Sequence, residues 1–170
     1  MRSLQRALHK DEAGRRITDP SAGPLFADKS EDGDLATGVV YVVRTKSDHP
    51  DISRHRGALH KIGVTGGNVK QRFANAKLDP TFLMADVELV ATFELYNINR
   101  ARLENLIHRL FAPGRLDVEI KDRFGRPVVP REWFLVPFGV IEEAIERIKD
   151  GSITRYAYDP LQAALVEAPA

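Results

Sequence analysis

Apolar residues fall along this chain in two rhythms, and the changes between them mark out its elements. Residues 38–45, "GVVYVVRT", are β-branched and apolar at nearly every position, which predicts a short buried strand. Residues 58–65, "ALHKIGVT", predict a second strand, joined to the first as an antiparallel hairpin through the polar loop "KSDHPDISRHRG". Gly66 and Gly67 then permit a tight turn, and Asn68 is a good helix N-cap. Val69, Phe73 and Ala76 recur at helical spacing, so a helix is expected up to Asp79-Pro80. "DVELVATFEL" alternates cleanly, with Val87, Leu89, Ala91, Phe93 and Leu95 expected on one strand face.

Asn97 or Asn99 can cap the next helix, "RARLENLIHRLFA", whose apolar stripe is Leu103, Leu106, Ile107 and Leu110. Pro113-Gly114 ends it. "RLDVEIKDRFGRPVVPREWFLVP" reads as strand, polar turn and strand. Pro137 opens a last helix with Ile141, Ala144, Ile145 and Ile148 inward and Gly151 as its stop. The order β-β-α-β-α-β-β-α predicts an α+β domain, with a small central, mostly antiparallel sheet flanked by helices. That domain spans 37–150. Residues 1–36, rich in Gly, Pro, Asp and Ser without a sustained period, are expected to be a polar tail or linker, and 151–170 a C-terminal tail.

Composition narrows the classes. A chain of 170 residues with 43% hydrophobic and 29% charged residues suits one globular domain. There is no cysteine, which excludes disulfides, thiolate zinc sites and cysteine nucleophiles. No apolar run approaches the roughly 18 residues of a membrane span. The N-terminus lacks the apolar stretch of a secretory signal, so a soluble cytoplasmic protein with no membrane partner is the expectation. Net charge is only +1, but it is unevenly spread. Residues 37–80 hold eight Lys and Arg against three Asp and Glu, and Arg100 to Arg131 holds eight against four. Two basic blocks in a neutral chain are either a solvated surface or the footprint of a polyanion partner.

Few side chains offer chemistry. Tyr41 lies in an otherwise apolar run, so its phenol needs a hydrogen-bond partner or a wet edge, as a core tyrosine or a catalytic one. Arg72, one turn in from Asn68, is either a surface arginine or part of a phosphate site at a helix N-terminus. Arg100, Glu104 and His108 share a helix side. They form either a surface ion-pair ladder or the setting for one carboxylate holding a hard cation, with substrate phosphate and water completing its shell. Trp133, the lone tryptophan, reads as a core anchor. His9, His49, His55 and His60 form no metal-like constellation. "GVTGGN" lacks the Gly-Lys-Ser/Thr of a phosphate loop, and there is no nucleophile elbow.

Together these pieces resemble the GIY-YIG nuclease superfamily, in a phage and bacterial branch with the variant signature "KIG…R…E…H…EWF". "GVVY" ends in Tyr41, "KIG" spans Lys61 to Gly63, "NVKQRF" carries Arg72 and "ARLENLIHRLF" carries Glu104. Val39 replaces the first motif's glycine, Lys61 replaces the second motif's tyrosine, and the later asparagine has no assignable match. The resemblance implies a DNA endonuclease that hydrolyses phosphodiester bonds. Glu104 would hold one Mg²⁺ or Mn²⁺, Arg72 would neutralise phosphoryl charge, and Tyr41 would position or deprotonate water. Lys61 would help electrostatically, and His108 would support Glu104 or touch the phosphate. Arg54, Arg56, Lys70, Lys121, Arg123 and Arg126 are the candidates for sequence-independent contacts to the DNA backbone. The alternative is a nuclease-fold module that binds nucleic acid without cutting, motivated by Lys61 and the missing asparagine.

Overall fold

The structure, a computed structural model, describes residues 36–169. The expected N-terminal tail lies outside the described residues except for its last position, Ala36. A four-stranded antiparallel sheet runs in the order β3-β1-β2-β6, from β1 (Ala36–Thr45), β2 (Leu59–Thr65), β3 (Val87–Ile98) and β6 (Trp133–Leu135). The helices are α1 (Pro50–Ser53), α2 (Val69–Arg72), α3 (Arg100–Leu110) and α4 (Phe138–Asp150). Two short hairpins complete the fold, one of β4 (Ile120–Lys121) and β5 (Pro127–Val128), the other of β7 (Tyr156–Asp159) and β8 (Ala164–Glu167).

The sheet separates two apolar clusters, and strand alternation decides which residue joins which. Val40, Val42, Ile62 and Phe134 face α3 and α4, meeting Leu103, Ile107, Ile141 and Ile145. Tyr41, Val43, Leu59 and Trp133 face the other way, against Ile52, Ala76, Phe82, Leu83 and Leu116. A central strand covered on both sides needs apolar residues at consecutive positions, and this accounts for the unbroken "VVYVV". Trp133 is the core anchor expected, with Nε1–H donating to the Thr81 carbonyl at 2.9 Å.

Three expectations change. β3 does not keep its apolar residues on one face. Its register steps from Val42↔Ala91 to Val43↔Leu89, skipping Val90, and this bulge leaves Phe93 and Leu95 with the first cluster but sends Val87 to the second. The helix expected up to Asp79 stops at Arg72, followed by a separate turn over Ala76–Leu78. Asn68 caps it as predicted, its side chain accepting from Lys70 N–H at 2.9 Å. A segment this short gets little from its own hydrogen bonds and follows the shape of the core it covers. Finally, the expected C-terminal tail is structured over 151–169. Its β7–β8 hairpin packs on the domain through Tyr158, which is buried and donates to the Leu135 carbonyl at 2.9 Å.

Candidate functional site

Tyr41 and Gly63 are cross-strand partners in β1 and β2, on the face away from α3 and α4. A Cβ on residue 63 would collide with the Tyr41 hydroxyl and stand 2.8 Å from its Cε1. Only glycine lets the phenol lie across β2. The ring is 1% exposed, and burial is the main force raising the hydroxyl pKa above the ordinary phenol range. The Arg72 guanidinium opposes that rise by hydrogen bonding and by charge, while the carboxylates of Glu132 and Glu104 add to it. One guanidinium and two carboxylates therefore act on this phenol near the end of β2.

Glu104 reaches this point from the far side of the sheet because β6 is short. β6 pairs with β2 only through Leu59↔Leu135, His60↔Phe134 and Lys61↔Trp133, and the Ile62 N–H then donates to the Glu132 carbonyl at 3.3 Å. Past that point side chains of α3 take over the strand edge. His108 Nε2 lies 2.8 Å from the Ile62 carbonyl, which makes it the protonated nitrogen, and Glu104 Oε1 accepts from the Val64 N–H at 3.2 Å. These residues are one helical turn apart, and they meet backbone groups two residues apart on the strand. His108 also packs against Phe134 with ring centroids 5.3 Å apart.

Glu104 is half-buried, and its Oε2 has no hydrogen-bond partner among the described residues. No group of three His, Asp or Glu side chains converges among the described residues. The arrangement is no cation cage. It fits a hard divalent ion that takes one carboxylate oxygen from the protein and the rest of its shell from phosphate and water.

Two sequence expectations about cations change at this site. Lys61 is not open to a phosphate. Its side chain is 2% exposed, its ammonium is paired with Glu132, and it lies 4.6 Å from the centre of the Phe82 ring. Strand alternation puts it on the Tyr41 face, where the core closes over it. Arg72 is the last residue of a single turn, so it acts as a guanidinium on Tyr41 and not as part of a helix N-terminus. His60 points to the opposite face, with Nδ1 2.9 Å from the Val136 carbonyl.

Farther out, Arg54 is paired with Asp51, and Arg56 with Asp48 at 3.1 Å. Lys70, Lys121, Arg123 and Arg126 are exposed. Sequence reasoning missed two features. Glu132 was visible only as part of "PREWFLVP". Gly66 reads as a turn glycine, yet a Cβ there would overlap the Arg100 guanidinium, so the glycine is the seat of that arginine. The glycine pair was the available signal, but its partner emerges only once α3 docks beside the end of β2.

The family model of the T5orf172 domain matches residues 38–149. This chain belongs to the T5orf172 domain family. That finding corrects the resemblance drawn from the sequence, because the T5orf172 domain is a different family from GIY-YIG. The short pieces behind that resemblance, a tyrosine strand, Ile-Gly, one arginine and one glutamate, are each too common to tell two α+β families apart. Beyond the T5orf172 domain model, the chain is similar to YeeC of Bacillus subtilis (strain 168), described as an uncharacterized protein. The two are 38% identical over 148 residues, covering 87% of this chain. The chain spans 37% of the length of that relative. No solved structure matches this chain. Among the described residues no helix is long and apolar enough to cross a membrane.

Proposed function

We propose that this T5orf172 domain is a metal-dependent DNA endonuclease that hydrolyses phosphodiester bonds in the cytoplasm. The observation that carries the reading is that Arg72 and Glu104 both act on the Tyr41 hydroxyl, with Glu104 seated on the edge of β2 past the end of its pairing with β6. Phosphoryl transfer is mostly positioning and charge stabilisation, and these three side chains supply both. Glu104 is the residue that would hold Mg²⁺ or Mn²⁺, and an ion bound there supplies Lewis-acid polarisation of the phosphate. Arg72 offsets the negative charge that grows on the phosphoryl oxygens. Tyr41, with its pKa raised, is a neutral phenol at pH 7, so it orients water or donates to a phosphoryl oxygen. His108 holds α3 against β2 and thereby fixes Glu104.

The basic surface supports DNA as substrate through backbone contacts, so affinity should fall steeply with salt. The decisive assay incubates the full chain with supercoiled, linear, branched and single-stranded DNA in Mg²⁺ and in Mn²⁺. Cleavage that disappears in Glu104→Gln and Arg72→Ala supports the reading. No cleavage of any form with either metal overturns it.

A second reading, a domain that binds DNA without cutting, draws on the structural use already made of two polar groups. Lys61 is taken up by Glu132, and Glu104 accepts from the Val64 N–H. It expects salt-sensitive binding with no metal dependence, unchanged in Glu104→Gln.

A further inference from the structure

The β4–β5 hairpin carries a feature that the hydrolytic site does not use. Phe124 stands at its tip with 67% of its surface exposed. The turn beneath it is fully tied. Asp122 N–H donates to the Arg126 carbonyl at 2.9 Å, and Gly125 N–H donates to the Asp122 carbonyl at 3.0 Å. Asp122 Oδ1 accepts from the N–H groups of Phe124 at 2.8 Å and Arg126 at 2.9 Å. Gly125, with φ 77°, takes the left-handed conformation that closes the turn. The ring is held out by a closed turn and not by a frayed one.

Its surroundings are cationic. The guanidinium carbons of Arg123 and Arg126 lie 4.7 and 5.5 Å from the ring centre, and Lys121 is exposed on the same hairpin. Asp122, the one carboxylate in 121–126, has an oxygen committed to the turn. The arm is firmly rooted. Leu116 N–H donates to the Trp133 carbonyl at 2.8 Å, and Val118 and Ile120 pack on the cluster that contains Tyr41. Its returning strand leads into Glu132, the partner of Lys61.

A rigid aromatic tip flanked by arginines matches one chemistry, a nucleobase whose face is free, joined to phosphates on either side. We propose that this hairpin is a base-stacking probe. Phe124 takes the face of an unstacked base, and Arg123, Arg126 and Lys121 hold the adjoining phosphates. The preferred DNA then carries an unpaired nucleotide, as in a gap or a single strand, because the bases of uninterrupted duplex already have both faces covered. This rests on the reading of DNA as the partner and goes beyond it by naming the form.

The test measures binding of the full chain at low salt, without divalent metal, to three labelled DNAs: single strand, duplex with a one-nucleotide gap, and uninterrupted duplex. Each carries 2-aminopurine as a stacking reporter. Phe124→Ala should weaken single-strand and gap binding about tenfold, abolish the reporter change, and leave duplex binding within about twofold. Phe124→Trp should restore all three. Arg123→Ala with Arg126→Ala should flatten the salt slope by about two. Equal affinity of Phe124→Ala and wild type on all forms overturns the probe and leaves DNA as partner intact. An equal loss on all three forms also overturns it, because the contact would then be with duplex. If the wild type binds no DNA at all, both readings fall and an acidic protein becomes the partner for this arm.

Discussion

The Tyr41 hydroxyl lies where a Cβ on Gly63 would stand, so the two residues are a single steric unit across β1 and β2. The phenol is buried and cannot swing into solvent to make room. Gly63→Ala should therefore cost about 1–3 kcal/mol, the range for overpacking a closed core. It should appear as a lower denaturation midpoint with an unchanged slope. In a Tyr41→Leu background the same substitution should cost almost nothing. Additive costs in that double-mutant cycle would show that the phenol is not what excludes a side chain at 63.

Glu104 combines a backbone contact with a carboxylate oxygen that has no hydrogen-bond partner among the described residues, and two substitutions separate them. Glu104→Gln keeps an acceptor for the Val64 N–H and should unfold within about 0.5 kcal/mol of wild type. Glu104→Ala leaves that N–H without its partner and should be about 1 kcal/mol less stable. On the endonuclease reading both lose cleavage. A Gln variant that folds normally and still cuts DNA in Mg²⁺ would remove Glu104 from the chemistry.

Seating Arg100 costs residue 66 its side chain. The atoms that a Cβ there would meet belong to the mobile end of the arginine and not to backbone, so Gly66→Ala should change stability by less than about 0.5 kcal/mol. It should still displace the guanidinium from the end of β2. On the reading of DNA as partner, the expected result is normal unfolding with weaker DNA binding, matching Arg100→Ala. If Gly66→Ala binds like wild type and Arg100→Ala does not, the seat has no role in placing the arginine.

The sheet and both long helices were legible because their signals are local. "VVYVV" reads as a doubly covered strand without knowledge of its neighbours, and Leu103, Ile107, Ile141 and Ile145 fall at helical spacing and are buried as expected. The bulge at Val90 was not legible, because alternation in "DVELVATFEL" continues through it, and the skipped pairing depends on where β1 fits. The site divides in the same way. Tyr41 and Gly63 could be noticed in the sequence, but only strand register makes them partners. Lys61 looked available because burial by Phe82 and pairing with Glu132 are long-range facts. The family itself was misread from short motifs that two families can share.

The Lys61–Glu132 pair is asymmetric, and its two ends should respond differently to mutation. The lysine side chain is 2% exposed and the glutamate 39%. Removing the lysine charge as Lys61→Met keeps the packing on Phe82 and frees a carboxylate that can hydrate, so stability should stay within about 1 kcal/mol. Glu132→Ala leaves a buried ammonium without its counter-charge and should cost about 3–5 kcal/mol at pH 7. Urea titrations of both variants at pH 7 test this, and equal losses would contradict the asymmetry.

His60 makes the acid side of stability predictable. Nδ1–H donates to the Val136 carbonyl at 2.9 Å, so Nε2 carries the lone pair and faces Arg44 Nη2 at 3.3 Å. Burial is the main force lowering its pKa below the ordinary histidine value, the Arg44 charge lowers it further, and hydrogen bonds to the Val136 and Ala58 carbonyls oppose the shift. A depressed folded pKa stabilises the fold above the unfolded value of about 6.5. As pH falls below that, the unfolded chain takes up a proton that the folded ring refuses, so stability declines until the folded pKa is reached. The slope from this one group is at most about 1.4 kcal/mol per pH unit. Urea unfolding at pH 7.5 and pH 5.5 should show a drop in wild type that is smaller in His60→Gln. The same drop in both proteins would assign the acid sensitivity to other groups.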